Sequence, residues 1–237
     1  MIENVADGRR DDSGGVDWLL VDRLKAPPGE VARVLLEEAR GVRVVTEDDA
    51  LVEALVAGGG RVQRRGHDYE YAVADAPAEW ARTPAPQGFR LSNDLDPHGL
   101  AASHERANPP GHPDHEGGLD HVEDLRSMIA GEVLGPYVPE ASWQVEDAEG
   151  PCGAVIVVDR PGAARRGWVV EVFVDPRHQG RGLGRVLLQR AVAGTRAAGL
   201  PVLGLVVSDG NPARHAYDAL GFRLVRSGTN VDIPLLS

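Results

Sequence analysis

Three glycines at alternate positions constrain this chain more than any other feature. In Gln179-Gly180-Arg181-Gly182-Leu183-Gly184-Arg185 they stand between a strand-like run and an amphipathic helical run. Trp168 to Val174 is β-branched and aromatic and stops at Asp175-Pro176. From Leu183 the apolar residues Leu183, Val186, Leu187, Ala191 and Val192 recur at helical spacing, and Gly199 with Pro201 closes the helix. Such a turn leaves backbone N–H groups unobstructed at the positive end of a helix dipole, where a phosphate can be held, and Arg181 and Arg185 add positive charge. The same glycines equally suit a tight turn that binds nothing, and the loop alone does not separate the two readings.

The surroundings add order. Val202 to Val207 reads as a strand, and Asn211 before Pro212 is an N-cap signal for a helix that reaches about Leu220 and ends at Gly221. Phe222 to Val225 and Val231 to Leu235 read as two further strands. Upstream, Trp143 to Glu146 and Gly153 to Val158 form a hairpin pattern, and Gly88 to Leu91 an earlier strand. Residues 94–133 read as helical pieces interrupted by Asn108-Pro109-Pro110-Gly111-His112-Pro113. Residues 75–87, with their prolines and alanines, read as a linker.

The succession strand, Asp-Pro, Gln-Gly-Arg-Gly-Leu-Gly, helix, strand, Asn-Pro, and then Tyr217-Asp218-Ala219-Leu220-Gly221-Phe222 resembles the Gcn5-related N-acetyltransferase (GNAT) family. Gln179, Gly182 and Gly184 match the family's acetyl-CoA loop, and Asn211 and Tyr217 to Phe222 match its later elements. The resemblance covers residues 88–237 in element order and is motif-specific from 168 to 225. A Rossmann fingerprint fits less well, because it follows the first strand and precedes an acidic residue about twenty positions on.

The resemblance implies an α/β fold with a mixed central sheet flanked by helices, and acetyl transfer from acetyl-CoA to a primary amine of a small molecule or peptide. By position, Val172, Phe173 and Val174 would pair with the pantetheine arm. Gly180, Arg181, Gly182, Leu183, Gly184 and Arg185 would hold the pyrophosphate with Gln179, and Asn211 would contact the cofactor. Tyr217 matches the family tyrosine that returns a proton to the departing thiolate, although a buried core tyrosine is the alternative. Glu171 is the candidate base: period-two alternation would place it with Val169 and Phe173, and the alternative is a solvated strand-face carboxylate. A non-catalytic acetyl-CoA sensor or scaffold has the same loop and differs at Tyr217 and Glu171.

The first part of the chain repeats the pattern. Ala32-Arg33-Val34-Leu35-Leu36-Glu37-Glu38-Ala39 parallels Gly184 to Ala191, each after a Trp-led strand at Trp18 or Trp168. Residues 17–76 therefore read as a degenerate half-domain, or else as an unrelated strand-helix-strand unit. Their loop is Lys25-Ala26-Pro27-Pro28-Gly29-Glu30, where two prolines delete donors and Glu30 repels an anion. The expected division is a flexible 1–16, the half-domain 17–76, a linker at 77–87 and a catalytic domain at 88–237.

Composition narrows the partners. With 42% apolar and 26% charged residues among 237, the chain suits a globular protein, and a formal net charge of -11 opposes nonspecific attraction to nucleic acid or anionic membrane. Residues 1–15 lack the apolar core of a signal peptide, so a cytoplasmic location is expected. His98, His104, His112, His115 and His121 match no standard zinc spacing, and no metal is expected. Asp114, Glu116, Asp120, Glu123 and Asp124 read as a solvated face or as an attraction for a cationic acceptor, and Cys152 as a small core residue. Oligomeric state has no signature.

Overall fold

A computed structural model describes residues 2–11, 17–115, 117–162 and 165–235. The elements in chain order are β1 (Ala6–Asp11), β2 (Trp18–Leu24), α1 (Pro28–Glu38), β3 (Arg43–Thr46), α2 (Asp49–Ala57), β4 (Arg61–Ala72) and β5 (Arg90–Ser92). There follow α3 (Pro97–Ala107), α4 (His121–Ile129), β6 (Trp143–Glu146), β7 (Pro151–Arg160), β8 (Arg166–Val174), α5 (Leu183–Ala197), β9 (Val202–Ser208), α6 (Arg214–Leu220) and β10 (Arg223–Asp232). They form two compact units, Met1–His67 with Arg226–Ser237, and Asp68–Val225. The chain passes between units inside β4 and again inside β10. Of the stretch 1–16 expected to be flexible, Met1 and residues 12–16 lie outside the described residues, and Ala6–Asp11 is β1.

In the first unit the strands lie in the order β1-β2-β3-β10, with β2 and β3 parallel and their neighbours antiparallel. Alternation turns Leu19 and Val21 of β2 and Val44 of β3 inward, and helical spacing does the same for Val31 and Leu35 of α1 and Leu51 and Leu55 of α2. Val231 and Ile233 complete this core. Each such fully buried branched side chain contributes roughly 1.5–3 kcal/mol. The β2–β3 ladder stays closed from Trp18–Arg43 to Val21–Thr46. Pro27 caps α1 without a side-chain bond, Pro28 follows it, and the Glu30 and Val31 N–H groups are spent on the Pro27 carbonyl.

In the second unit the order is β4-β9-β8-β7-β6-β5, antiparallel from β5 to β8 and parallel between β8 and β9. Val155 and Val157 of β7 pack with Leu187 and Leu188 of α5 and Leu220 of α6, while Ala154 and Ile156 pack with Leu100 of α3 and Leu125 of α4. The sheet is therefore covered on both faces, as a β7 strand of almost unbroken small and branched residues requires. Gly194 of α5 lies directly under the Glu140 carbonyl, in a space that no side chain could share.

Several sequence expectations change at this level. Phe222 to Val225 and Val231 to Leu235 are not two strands: Arg223–Asp232 is one, because Ser227, Gly228 and Thr229 stay extended and Thr229 continues the ladder to β3. Helix α6 begins at Arg214, and Pro212 lies outside it. The 77–87 stretch lies inside the second unit, where Arg190 donates to the Ala81 and Thr83 carbonyls and Arg196 to that of Ala76. Proline-rich composition reads as a linker because it lacks donors, but its carbonyls remain available to arginines of α5. Among the described residues no helix is long and apolar enough to cross a membrane.

Candidate functional site

The parallel pairing of β8 with β9 is confined to Gly167–Leu203 and Trp168–Gly204, whereas on its other side β8 remains paired with β7 through Val174. Beyond Trp168 the β8 edge toward β9 is thus open, in contrast to the closed β2–β3 ladder. Within β8 there is a bulge. Ile156 pairs with Glu171 and Val157 with Val169, leaving Val170 as an extra residue. The bulge overturns the expected alternation: Val169 packs on the α5 face, while Phe173 packs on the face covered by α3 and α4. Glu171 shares the face of Phe173 but not that of Val169. Val172 and Val174 are half-buried on the α5 side.

Asp175 anchors the strand's end. Its side chain is fully buried, caps the Pro176–His178 turn through the Arg177 N–H, and accepts from the Arg106 and Arg177 guanidinium groups and from Ser103 Oγ. Burial alone would push this carboxyl up, but hydrogen bonds from Arg177 and Arg106 outweigh it and hold it well below the usual carboxylate range. The Asp175 N–H donates to the Cys152 carbonyl. Cys152 is buried, and burial pushes its thiol up to about 11, the setting of a core residue rather than a nucleophile.

The loop that follows is open. Gly180 and Gly182 have φ of 76° and 80°, and a Cβ at either would meet nothing within 4 Å. Gly182 caps α5 in the left-handed region without any side-chain bond, and the first helical N–H to find a carbonyl is that of Val186, on Gly182. Every N–H from Gly180 to Arg185 lacks an acceptor among the described residues. Leu183 is buried and anchors the turn, Gln179 donates to the Val174 carbonyl, and Arg181 and Arg185 are exposed, Arg181 lying 5.8 Å over the Phe89 ring. A helix start with free amides, no blocking side chain and flanking arginines fits a phosphate-bearing ligand.

Tyr217 of α6 is buried, its ring 6.1 Å from that of Tyr69 and 6.0 Å from that of Phe222. Its hydroxyl makes no hydrogen bond among the described residues. Burial, with the charges of Glu171 and Asp114, pushes the phenol well above its ordinary value, so it stays protonated at neutral pH. Asn211 Oδ1 accepts the Ala213 N–H at 2.8 Å, and its Nδ2 donates to Asp114 at 2.6 Å. Ser208 donates to the same carboxylate.

Glu171 is half-buried, and its Oε2 lies 3.2 Å from Nε2 of His104, a fully enclosed residue of α3. Burial alone would lower His104, but the hydrogen bond and charge of Glu171, with Asp124, raise it. Sequence reasoning missed this pair, as well as the hold of Asp114 on Asn211 and the Arg106–Asp175 bond; the partners come from distant elements, and only Asp175-Pro176 marked its place. The acidic set is not one free face. Asp114 is engaged, Asp120 caps α4, Glu123 lies 3.7 Å from Arg126, and Glu116 lies outside the described residues. Among the described residues no group of three or more His, Cys, Asp and Glu side chains is placed to hold a metal ion.

The model of the acetyltransferase (GNAT) family matches residues 104–222. A mycothiol acetyltransferase of Beutenbergia cavernae is 36% identical over 158 residues, 64% of this chain and 51% of that protein. One from Thermobispora bispora is 35% identical over 94 residues, 39% of this chain and 27% of that protein. The chain thus spans about half the length, or less, of the curated relatives it matches. A solved GCN5-related N-acetyltransferase from Sphaerobacter thermophilus superposes with a TM-score of 0.63 at 17% identity, over 97% of this chain and 78% of that one, a likeness of fold.

Proposed function

The chain belongs to the acetyltransferase (GNAT) family, and from that premise we propose that it moves an acetyl group from acetyl-CoA to a primary amine of a small molecule. The observation that carries the reading is the run of uncommitted N–H groups from Gly180 to Arg185, set at the start of α5 beside the open edge of β8. These amides hold the pyrophosphate of acetyl-CoA, with Gln179, Arg181 and Arg185 beside them. Val172, Phe173 and Val174 offer backbone groups to the pantetheine arm, and Asn211 contacts the donor. Both curated relatives are named for mycothiol and not for a protein, which favours a small-molecule acceptor over a peptide.

The chemistry follows from proton positions. Glu171 takes a proton from the acceptor ammonium, the neutral nitrogen attacks the thioester carbonyl, the C–S bond breaks as Tyr217 gives its proton to the thiolate, and the second proton of the new amide nitrogen restores the phenol. Backbone N–H groups at the open edge of β8 polarise the carbonyl as its oxygen gains charge. No step uses a metal. The site is a single one: the start of α1 offers prolines and spent amides where α5 offers free ones, and the β2-α1-β3 arrangement supports descent of residues 17–76 from a second copy of the same half-domain. We place this activity in the cytoplasm, with no nucleic-acid or membrane partner.

The test is calorimetric titration with acetyl-CoA, followed by thiol release across a panel of amines. Micromolar binding and amine-dependent thiol release are expected. Binding without turnover of any amine would favour the sensor reading, and absence of binding at millimolar acetyl-CoA would end both.

A further inference from the structure

Behind Glu171 the hydrogen bonds continue. His104 presents Nε2 to Glu171 at 3.2 Å and Nδ1 to Nδ1 of His121 at 3.1 Å, the two rings standing edge to face with centroids 5.0 Å apart. The far side of His104 rests on Phe173, 4.9 Å between centroids, so the ring is fixed from both sides. His104 is 2% exposed. His121, at the first position of α4, is half-buried and reaches the surface. A nitrogen-to-nitrogen contact at this distance requires a proton between the two rings, donated by one and accepted by the other.

We propose that His104 and His121 form a proton relay that carries the acceptor's proton from Glu171 to solvent. The inference rests on Glu171 being the base of acetyl transfer. Once Glu171 has taken the acceptor's proton, His104 is neutral, with its own proton on Nδ1 toward His121 and its Nε2 accepting from the protonated Glu171 carboxyl. The proton taken by Glu171 passes to Nε2, restoring the carboxylate and making His104 an imidazolium. The Nδ1 proton then crosses to Nδ1 of His121, whose Nε2 proton leaves to water. One proton enters and one leaves, and no other bond changes. A tautomeric shift of both rings resets the pair.

The charges around the relay suit the transient imidazolium. Glu171 of β8 and Asp124 of α4 both favour positive charge on His104, against the cost of burial. Leu100, Leu125 and Ile156, all fully buried on the same face, close the route to bulk water from the core side. A base in such a place needs an outlet, since a proton left on Glu171 blocks the next turnover. His104 and His121 act through Glu171 and are therefore positioning residues.

The first test replaces the outer member. His121→Asn should slow acetyl transfer about tenfold or more in weak buffer, leave acetyl-CoA affinity unchanged, and recover with added imidazole in a saturable way. Wild-type turnover in weak buffer, or a loss that imidazole does not relieve, would overturn the relay. A second measurement needs no turnover: ring-nitrogen NMR titration of the intact protein. The His104 midpoint should fall in Glu171→Gln and move in His121→Asn, and midpoints unchanged in both would overturn the relay even in a preparation that transfers no acetyl group. Failure of the base assignment alone appears differently, as full activity in Glu171→Gln.

Discussion

Replacing Tyr217 by Phe separates catalysis from packing at one atom. The ring keeps its neighbours Tyr69 and Phe222, and the deleted hydroxyl makes no hydrogen bond among the described residues, so no buried donor or acceptor is orphaned. Folding free energy should therefore stay within about 0.5 kcal/mol of the parent protein, read from the midpoint of urea unfolding. Catalysis should not be spared. Loss of a general acid typically costs about a hundredfold or more in rate, or at least about 2.7 kcal/mol of transition-state stabilisation. Acetyl-CoA affinity, measured by calorimetry, should hold, with the loss falling on kcat in a thiol-release assay. Because the phenol lies above its ordinary value, no falling limb below about pH 10 should belong to it. A rate within twofold of the parent, or an affinity loss at constant kcat, would remove Tyr217 as the acid.

Other perturbations follow from the same contacts. Gly182→Ala forces a left-handed residue costing about 1–2 kcal/mol and places a methyl in the open turn, so acetyl-CoA affinity should fall at least tenfold by calorimetry. Asp114→Ala frees the Asn211 amide and should tighten acetyl-CoA binding several-fold in the same titration. Gly194→Ala drives a methyl into the Glu140 carbonyl and should destabilise the second unit by about 3 kcal/mol or more, seen as a lowered urea midpoint. Asp175→Asn removes a charge whose folded-state carboxyl is depressed, so the stabilisation is present above the unfolded value near 3.8 and is lost as pH falls through the folded one. The half-exposed arginines can turn to water, which limits the cost to about 2–3 kcal/mol at pH 7. The gap between parent and variant should shrink steadily in urea melts below pH 4.

The second unit was legible where local chemistry decides: Trp168 to Val174, the glycine turn and the helix from Leu183 have their own breaks, caps and period. The site was legible in part. A bulge is invisible to a pattern that counts in twos, and one extra residue at Val170 put Glu171 on the face opposite Val169. His104 and Glu171 are 67 positions apart, and no spacing rule joins a helix to a strand at that separation. The five histidines show no zinc spacing in the sequence, and nothing local to them points to a partner; two of them back a carboxylate from a distant strand. Gly228 lies between the two runs read as separate strands and its entropy opposes extension, but the ladder to β3 outweighs one residue's preference.

The first unit takes its final strand from far along the polypeptide, and this has a consequence for biosynthesis. Arg43 of β3 bonds Asp232 of β10 across 189 positions. During translation β3 emerges roughly 10–40 s before its partner, at ~5–20 residues per second. Throughout that interval Val44, Leu35 and Leu51 have no Val231 or Ile233 to close over them. The nascent first unit should thus close late, its yield sensitive to growth temperature and elongation rate, while the second unit can condense as soon as Val225 clears the ribosome. A protein truncated at 225 should retain the glycine loop and lose the shelter of its own beginning.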